Sequence, residues 1–123
     1  MPKVLVIDDE AGVRNTIERT LLRAGCELVL AEDGRRGVAL FQREAPDLTI
    51  TDIIMPEGEG IETIRAIRKL QPAAKIIAMS GGGMISSADL LYLATRFGAC
   101  EVIAKPFDPD DLAARVARCL AEG

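Results

Sequence analysis

Four apolar runs in this chain each end in a residue that can hold or move charge. Residues 3–7 lead into Asp8-Asp9, 47–51 into Asp52, 75–79 into Ser80, and 101–104 into Lys105 followed by Pro106. Three carboxylates gathered at one rim would repel: two of them about 4 Å apart cost about 4 kcal/mol at an effective dielectric near 20. A cation must offset that cost. A small set of hard oxygen donors suits Mg²⁺ or Mn²⁺, and Mg²⁺ in particular keeps several waters and completes its octahedron with a substrate's phosphate oxygen. Lys105 adds a fixed positive charge. A carboxylate can attack phosphorus to give an aspartyl phosphate while metal, ammonium and hydroxyl stabilise the charge on the equatorial oxygens.

Taken singly, each of these residues has an ordinary reading. Asp8-Asp9 can cap a helix, Asp52 can end a strand in a turn, Lys105 can be a surface lysine, and Ser80 can precede a glycine-rich turn. Joint placement at run ends is what favours chemistry, and it requires elements that bring those ends together. The apolar runs, with a fifth at 27–31 ending in Glu32-Asp33, read as strands. Between and after them lie segments of helical period: Val13-Ile17-Leu21, Val38-Phe41-Ala45, Ile61-Ile64-Ile67-Leu70, Leu90-Ala94-Phe97 and Leu112-Val116-Cys119-Leu120. Gly25 closes the first, Pro46 and Pro72 follow the second and third, Ser87 or Asp89 caps the fourth, and Asp108-Pro109 opens the fifth. Strict β-α alternation with near-continuous apolar strands predicts an α/β fold, a doubly wound parallel sheet with helices on both faces. In such sheets ligands bind beyond the carboxyl ends of the strands, where the chemistry-bearing residues fall. Spacing alone leaves the strand order open.

A chain of 123 residues is a natural single-domain length. Hydrophobic residues make up 49% but aromatics only 3%, so the core must be aliphatic. The formal charge of −4 supplies no basic patch for a phosphate backbone, which argues against direct nucleic-acid binding. Cys26, Cys100 and Cys119 form no C-x-x-C pair and read as free thiols of a reducing compartment, packed as small hydrophobes. No apolar run is long enough for a signal peptide or a membrane span, so a cytoplasmic location without membrane attachment is expected. The absence of histidine removes Ser-His-Asp hydrolysis, histidine-ligated zinc and phosphohistidine chemistry on this chain.

V-L-V-I-D-D-E at 4–10, T-D-I-I-M-P at 51–56, M-S-G at 79–81 and G-A leading to K-P-F at 98–107 resemble the receiver domains of two-component response regulators, and the chain is similar to single-domain chemotaxis regulators. The match spans essentially the whole chain, so 1–123 is expected to be one receiver domain with no output domain. The resemblance implies a flavodoxin-like strand order of 2-1-3-4-5, with Asp8, Asp9 and Asp52 at the point where the order reverses. It implies that Asp52 is the phosphoacceptor, that Asp9, Asp52 and the Ile54 carbonyl bind the metal, and that Asp8 acts through a water. Ser80 would swing to the phosphoryl group, and Lys105 would pair with it next to a cis bond to Pro106. The implied partners are a sensor histidine kinase or phosphotransfer protein and a downstream protein target, with the chain itself a phosphoacceptor that promotes its own phosphorylation and dephosphorylation rather than an enzyme.

Two departures stand out. Val102 stands three residues before Lys105, where many members carry Tyr or Phe. The 80–98 segment is about three residues longer than the common pattern and begins Gly81-Gly82-Gly83-Met84-Ile85, a loop expected to shape the partner surface. Met84, Ile85, Leu91 and Tyr92 read either as a docking patch or as partly buried core. The competing functions are a constitutive interaction module that keeps the fold without switching, and a phosphatase of the haloacid-dehalogenase kind. The latter needs D-x-D after the first strand, where this chain has Asp8-Asp9-Glu10, and an inserted cap, for which no segment is available.

Overall fold

The computed structural model describes residues 1–53, 59–81, 96 and 98–122, with the side chains of 59 and 81 excepted. Among the described residues nine elements follow one another: β1 (Lys3–Ile7), α1 (Ala11–Arg23), β2 (Glu27–Ala31), α2 (Gly34–Glu44), β3 (Leu48–Asp52), α3 (Glu59–Leu70), β4 (Ile76–Gly81), β5 (Glu101–Lys105) and α4 (Pro109–Ala121). All five strands are parallel, in the order β2-β1-β3-β4-β5. This is the order the resemblance implies. Of the fourth helical segment only Arg96 is described; Leu90, Ala94, Phe97 and the caps Ser87 and Asp89 lie outside the described residues, as do Met84, Ile85, Leu91 and Tyr92.

Strand alternation splits the core between the two faces of the sheet. Val4, Val6, Ile50, Met79 and Ile103 meet Ile17 and Leu21 of α1 and Leu112, Val116 and Cys119 of α4. Leu5, Ile7, Ile76 and Ala78 meet Phe41 of α2 and Ile64 and Ile67 of α3. Each fully buried Leu or Ile contributes roughly 1.5–3 kcal/mol. Cys26 and Cys119 are buried and all three cysteines are free. Burial, and then the neighbouring Cys100, push the Cys119 thiol up to about 12, so it packs as a small hydrophobe. Among the described residues no helix is long and apolar enough to cross a membrane.

β3 and β5 extend one residue past their apolar runs, and β4 two, because backbone pairing outlasts the hydrophobic stretch. Asp52 is still in register with Met79, and Gly81 with Lys105. The chemistry-bearing residues therefore belong to the ends of the strands themselves. Helix starts also follow the sequence: Asp33 Oδ1 accepts from Arg36 N at 2.8 Å, and Asp108 Oδ1 accepts from Asp110 N at 2.9 Å.

Two close approaches seat the second helical layer. A Cβ on Gly37 would run into the Ile7 side chain, and one on Gly60 would run into the carbonyl oxygens of Ile53 and Asp52. The first neighbour is a side chain whose end can shift, but backbone carbonyls at the end of β3 cannot move without moving Asp52. Gly60→Ala is therefore expected to cost more than Gly37→Ala, about 3 kcal/mol against about 1 kcal/mol, as read from urea unfolding midpoints.

Candidate functional site

The carboxyl ends of β1, β3 and β5 converge on one ammonium group. Lys105 Nζ lies 2.7 Å from Asp8 Oδ2 and 2.7 Å from Asp52 Oδ2. Asp8 is fully buried and Asp52 is 2% exposed. Lys105 reaches them from the edge strand, past β4. Burial by itself would pull its pKa down, but hydrogen bonds to Asp52 and Asp8, and their charges, outweigh that and hold it above the usual lysine value.

Asp8 is fixed from several sides. Its backbone N–H donates to the Ala31 carbonyl at 3.1 Å, its Oδ1 accepts from Glu10 N at 2.8 Å, and its carbonyl accepts from Arg14 Nη1 at 2.6 Å. Both carboxylate oxygens thus already accept a hydrogen bond. Asp9 is exposed at the mouth, and carboxylate oxygens of Asp8, Asp9 and Glu10 lie within 4.8 Å of one another. Glu10 Oε1 is 3.9 Å from Lys105 Nζ.

Ser80 is buried in β4, between the register partners of Asp52 and Lys105. Alternation gives it the parity of Ala78, whereas Asp8, Asp52 and Lys105 share the parity of Val6, Ile50 and Ile103. The Lys105–Pro106 bond is cis. Val102 packs against the cluster beneath α2 and α3, and its carbonyl accepts from Arg115 Nη1 at 3.0 Å. Ile54 lies outside the described residues.

Sequence reasoning drew Asp8, Asp9, Asp52, Ser80 and Lys105 to one end of the sheet, and the structure brings all five there. It missed Arg14 and Glu10 as neighbours of the rim. Arg14 reads as a solvated helix position, yet it sits one turn after Glu10 and so over the carboxyl end of β1. That spacing was the available signal.

A parallel sheet that reverses its order over an acidic rim, bridged by a lysine from the last strand, defines a receiver-type α/β domain. The family model for the response regulator receiver domain matches residues 4–117, and the chain belongs to that family. Chemotaxis protein CheY of Thermotoga maritima is 37% identical over 108 residues, covering 87% of this chain and 88% of that protein. The probable transcriptional regulator ycf27 of Guillardia theta is 37% identical over 114 residues, covering 93% of this chain but 43% of that protein. The chain thus spans under half the length of that relative. A receiver domain structure from Clostridium thermocellum superposes with a TM-score of 0.87 at 31% identity, covering 98% of this chain and 94% of that one. A CheY-like receiver structure from Methanospirillum hungatei gives 0.88 at 28% identity, with 99% and 95% covered.

Removing the ammonium would strand two buried carboxylates. In metal-free buffer Lys105→Met is expected to lower stability by about 3–5 kcal/mol at neutral pH. A lysine with a raised folded pKa stabilises fully below its unfolded value of about 10.4, and the contribution is lost only as pH rises through the folded value. The gap between wild type and variant should therefore stay constant from pH 7 to 9. Urea midpoints across that range test this.

Proposed function

We propose that this chain is a phosphorylation switch in which Asp52 accepts a phosphoryl group from the phosphohistidine of a sensor kinase or phosphotransfer protein. The observation that carries the reading is the single ammonium of Lys105 at 2.7 Å from both Asp8 and Asp52. A carboxylate nucleophile and a fixed cation already share one site, in a setting where water is largely excluded.

The donor set fits a hard divalent cation. The rim offers carboxylate oxygens clustered within 4.8 Å at its mouth and no sulfur or imidazole donor among them. Asp9, Asp52 and the Ile54 carbonyl would hold Mg²⁺ or Mn²⁺ directly. Asp8, whose two oxygens are already engaged, would act through a water. When bound, the ion supplies neutralisation of charge on the transferring phosphoryl group.

In the transfer, an Asp52 carboxylate oxygen forms the new bond to phosphorus as the bond to the donor imidazole breaks, and the imidazole leaves with that electron pair. Lys105 gives up its hydrogen bond to Asp52 and donates to a phosphoryl oxygen instead. Its bond to Asp8 and the charge of the incoming phosphoryl oxygens keep it an ammonium through this exchange. Ser80 donates its hydroxyl to another oxygen, and its opposite parity on β4 means the strand end must turn to deliver it. The protein is a stoichiometric acceptor rather than a turnover catalyst. With a net charge of −4, the domain acts on protein partners in place of gripping DNA itself. Free thiols at Cys26, Cys100 and Cys119 support a reducing, cytoplasmic setting.

Incubation with a phosphorylated kinase or with acetyl phosphate, in the presence of Mg²⁺, should add one hydroxylamine-labile phosphoryl group to the wild type. Asp52→Asn should gain none, and EDTA should abolish the reaction. Equal labelling of the variant would defeat the assignment.

The cation should also stabilise the fold by mass action, by about 2.7 kcal/mol at a hundred times its Kd. Thermal unfolding with and without Mg²⁺ should show that rise in the wild type and a blunted one in Asp9→Asn.

A further inference from the structure

Glu10 occupies the N-cap of α1 with extended backbone angles, yet its side chain caps nothing. Glu is a poor residue for that position, where Ser, Thr, Asp or Asn would satisfy an orphan N–H. The backbone N–H of Glu10 instead donates to Asp8 Oδ1 at 2.8 Å, which pins the residue beside the rim. Its side chain, 65% exposed, places Oε1 at 3.9 Å from the Lys105 ammonium. Its carboxylate also falls within 4.8 Å of those of Asp8 and Asp9. It therefore stands at the open side of the site, free of any capping duty.

Charge counting gives this placement a purpose. Asp8, Asp52 and Glu10 lie within 4 Å of the Lys105 ammonium, Asp9 clusters with Asp8 and Glu10, and Arg14, on the Asp8 carbonyl, is the second cationic side chain. The excess is two negative charges, which one divalent cation cancels. Without Glu10 the excess would be one, and a divalent cation would leave the site positive. We infer that Glu10 sets the affinity of this site for a divalent cation, acting as a long-range electrostatic partner beside the ligands named above. The inference rests on the metal-dependent reading of the site and adds to it a residue outside the ligand set.

Because the carboxylate is largely exposed, its action on the ion is screened and salt-dependent. Glu10→Gln should bind Mg²⁺ about fivefold more weakly in low-salt buffer, the order expected for one partly screened carboxylate acting on a double charge. The difference should shrink at high salt. Glu10→Asp, which keeps the charge, should recover most of the affinity. Glu27→Gln makes the same change in net charge at the opposite end of the sheet, on an exposed residue at the start of β2, and should bind as the wild type does.

Isothermal titration with MgCl₂ reads these affinities directly, and the melting temperature of each metal-free variant, expected to match the wild type, separates affinity from folding. Equal affinity of wild type and Glu10→Gln would overturn this inference while leaving the proposed function standing. So would an equal loss in Glu27→Gln, which would make the effect one of overall charge. A wild type that binds no Mg²⁺ would overturn the metal reading and this inference together.

Discussion

Asp8 and Asp52 end adjacent strands, both shielded from water, and neither carboxylate can stay there without a cation. Lys105 meets that need, and the rest of the architecture is the means of bringing it. Parallel strands put all three residues at one end of the sheet. The reversal of order between β1 and β3 opens the crevice above them, and β4 fills the gap between β3 and β5 that the lysine stem crosses. Apolar packing on both faces fixes the strands in register, so that a one-residue slip would turn an acid or the lysine into the core.

Such a cluster is a poor way to gain stability. Replacing a buried ion group by apolar side chains of similar volume is often neutral or stabilising, because desolvation offsets the attraction. A rim that keeps two buried carboxylates around one ammonium is therefore better understood as a site than as a fastening. The ammonium already holds the place where added negative charge would be received, and exchanging one oxygen partner for another costs less than assembling the cation from solvent. Arg14 and Gly60 serve the same end from the backbone side. One holds the Asp8 carbonyl, and the other lets α3 close against the carbonyls of Asp52 and Ile53.

Much of this was legible in the sequence, and the reasons are physical. Short, near-continuous apolar runs, separated by helical periodicity and punctuated by Gly25, Pro46, Pro72 and Asp108-Pro109, give the elements because burial and capping are local properties. That the run ends carry Asp8, Asp52, Ser80 and Lys105 follows directly from those runs. Which strand lies beside which does not follow, since spacing says nothing about order, and the order came from resemblance. Strand ends moved by one or two residues because backbone pairing, not hydrophobicity, decides where a strand stops. Glu10 and Arg14 escaped notice because charges on a helix start look solvated until the fold turns them toward the rim.

Val102 raises the question of how events at the rim reach the outer surface when no aromatic side chain is there to rotate. Arg115 offers a physical connection. From α4 it donates Nη1 to the Val102 carbonyl at 3.0 Å and Nε to Asp111 Oδ2 at 3.0 Å, while Glu101 lies 3.7 Å from Nη1 and also pairs with Arg118. β5 is an edge strand, so guanidinium groups cover backbone that would otherwise face solvent. A hydrogen bond from a charged donor contributes about 1.5–3 kcal/mol, comparable to the energy that separates two states of a switch. Lys105 lies three residues further along that strand, so a shift of β5 as the lysine changes partners must either carry α4 with it or break the Arg115 bond. Coupling through backbone and guanidinium would need no aromatic ring, and it would run through α4 rather than through a rotating side chain.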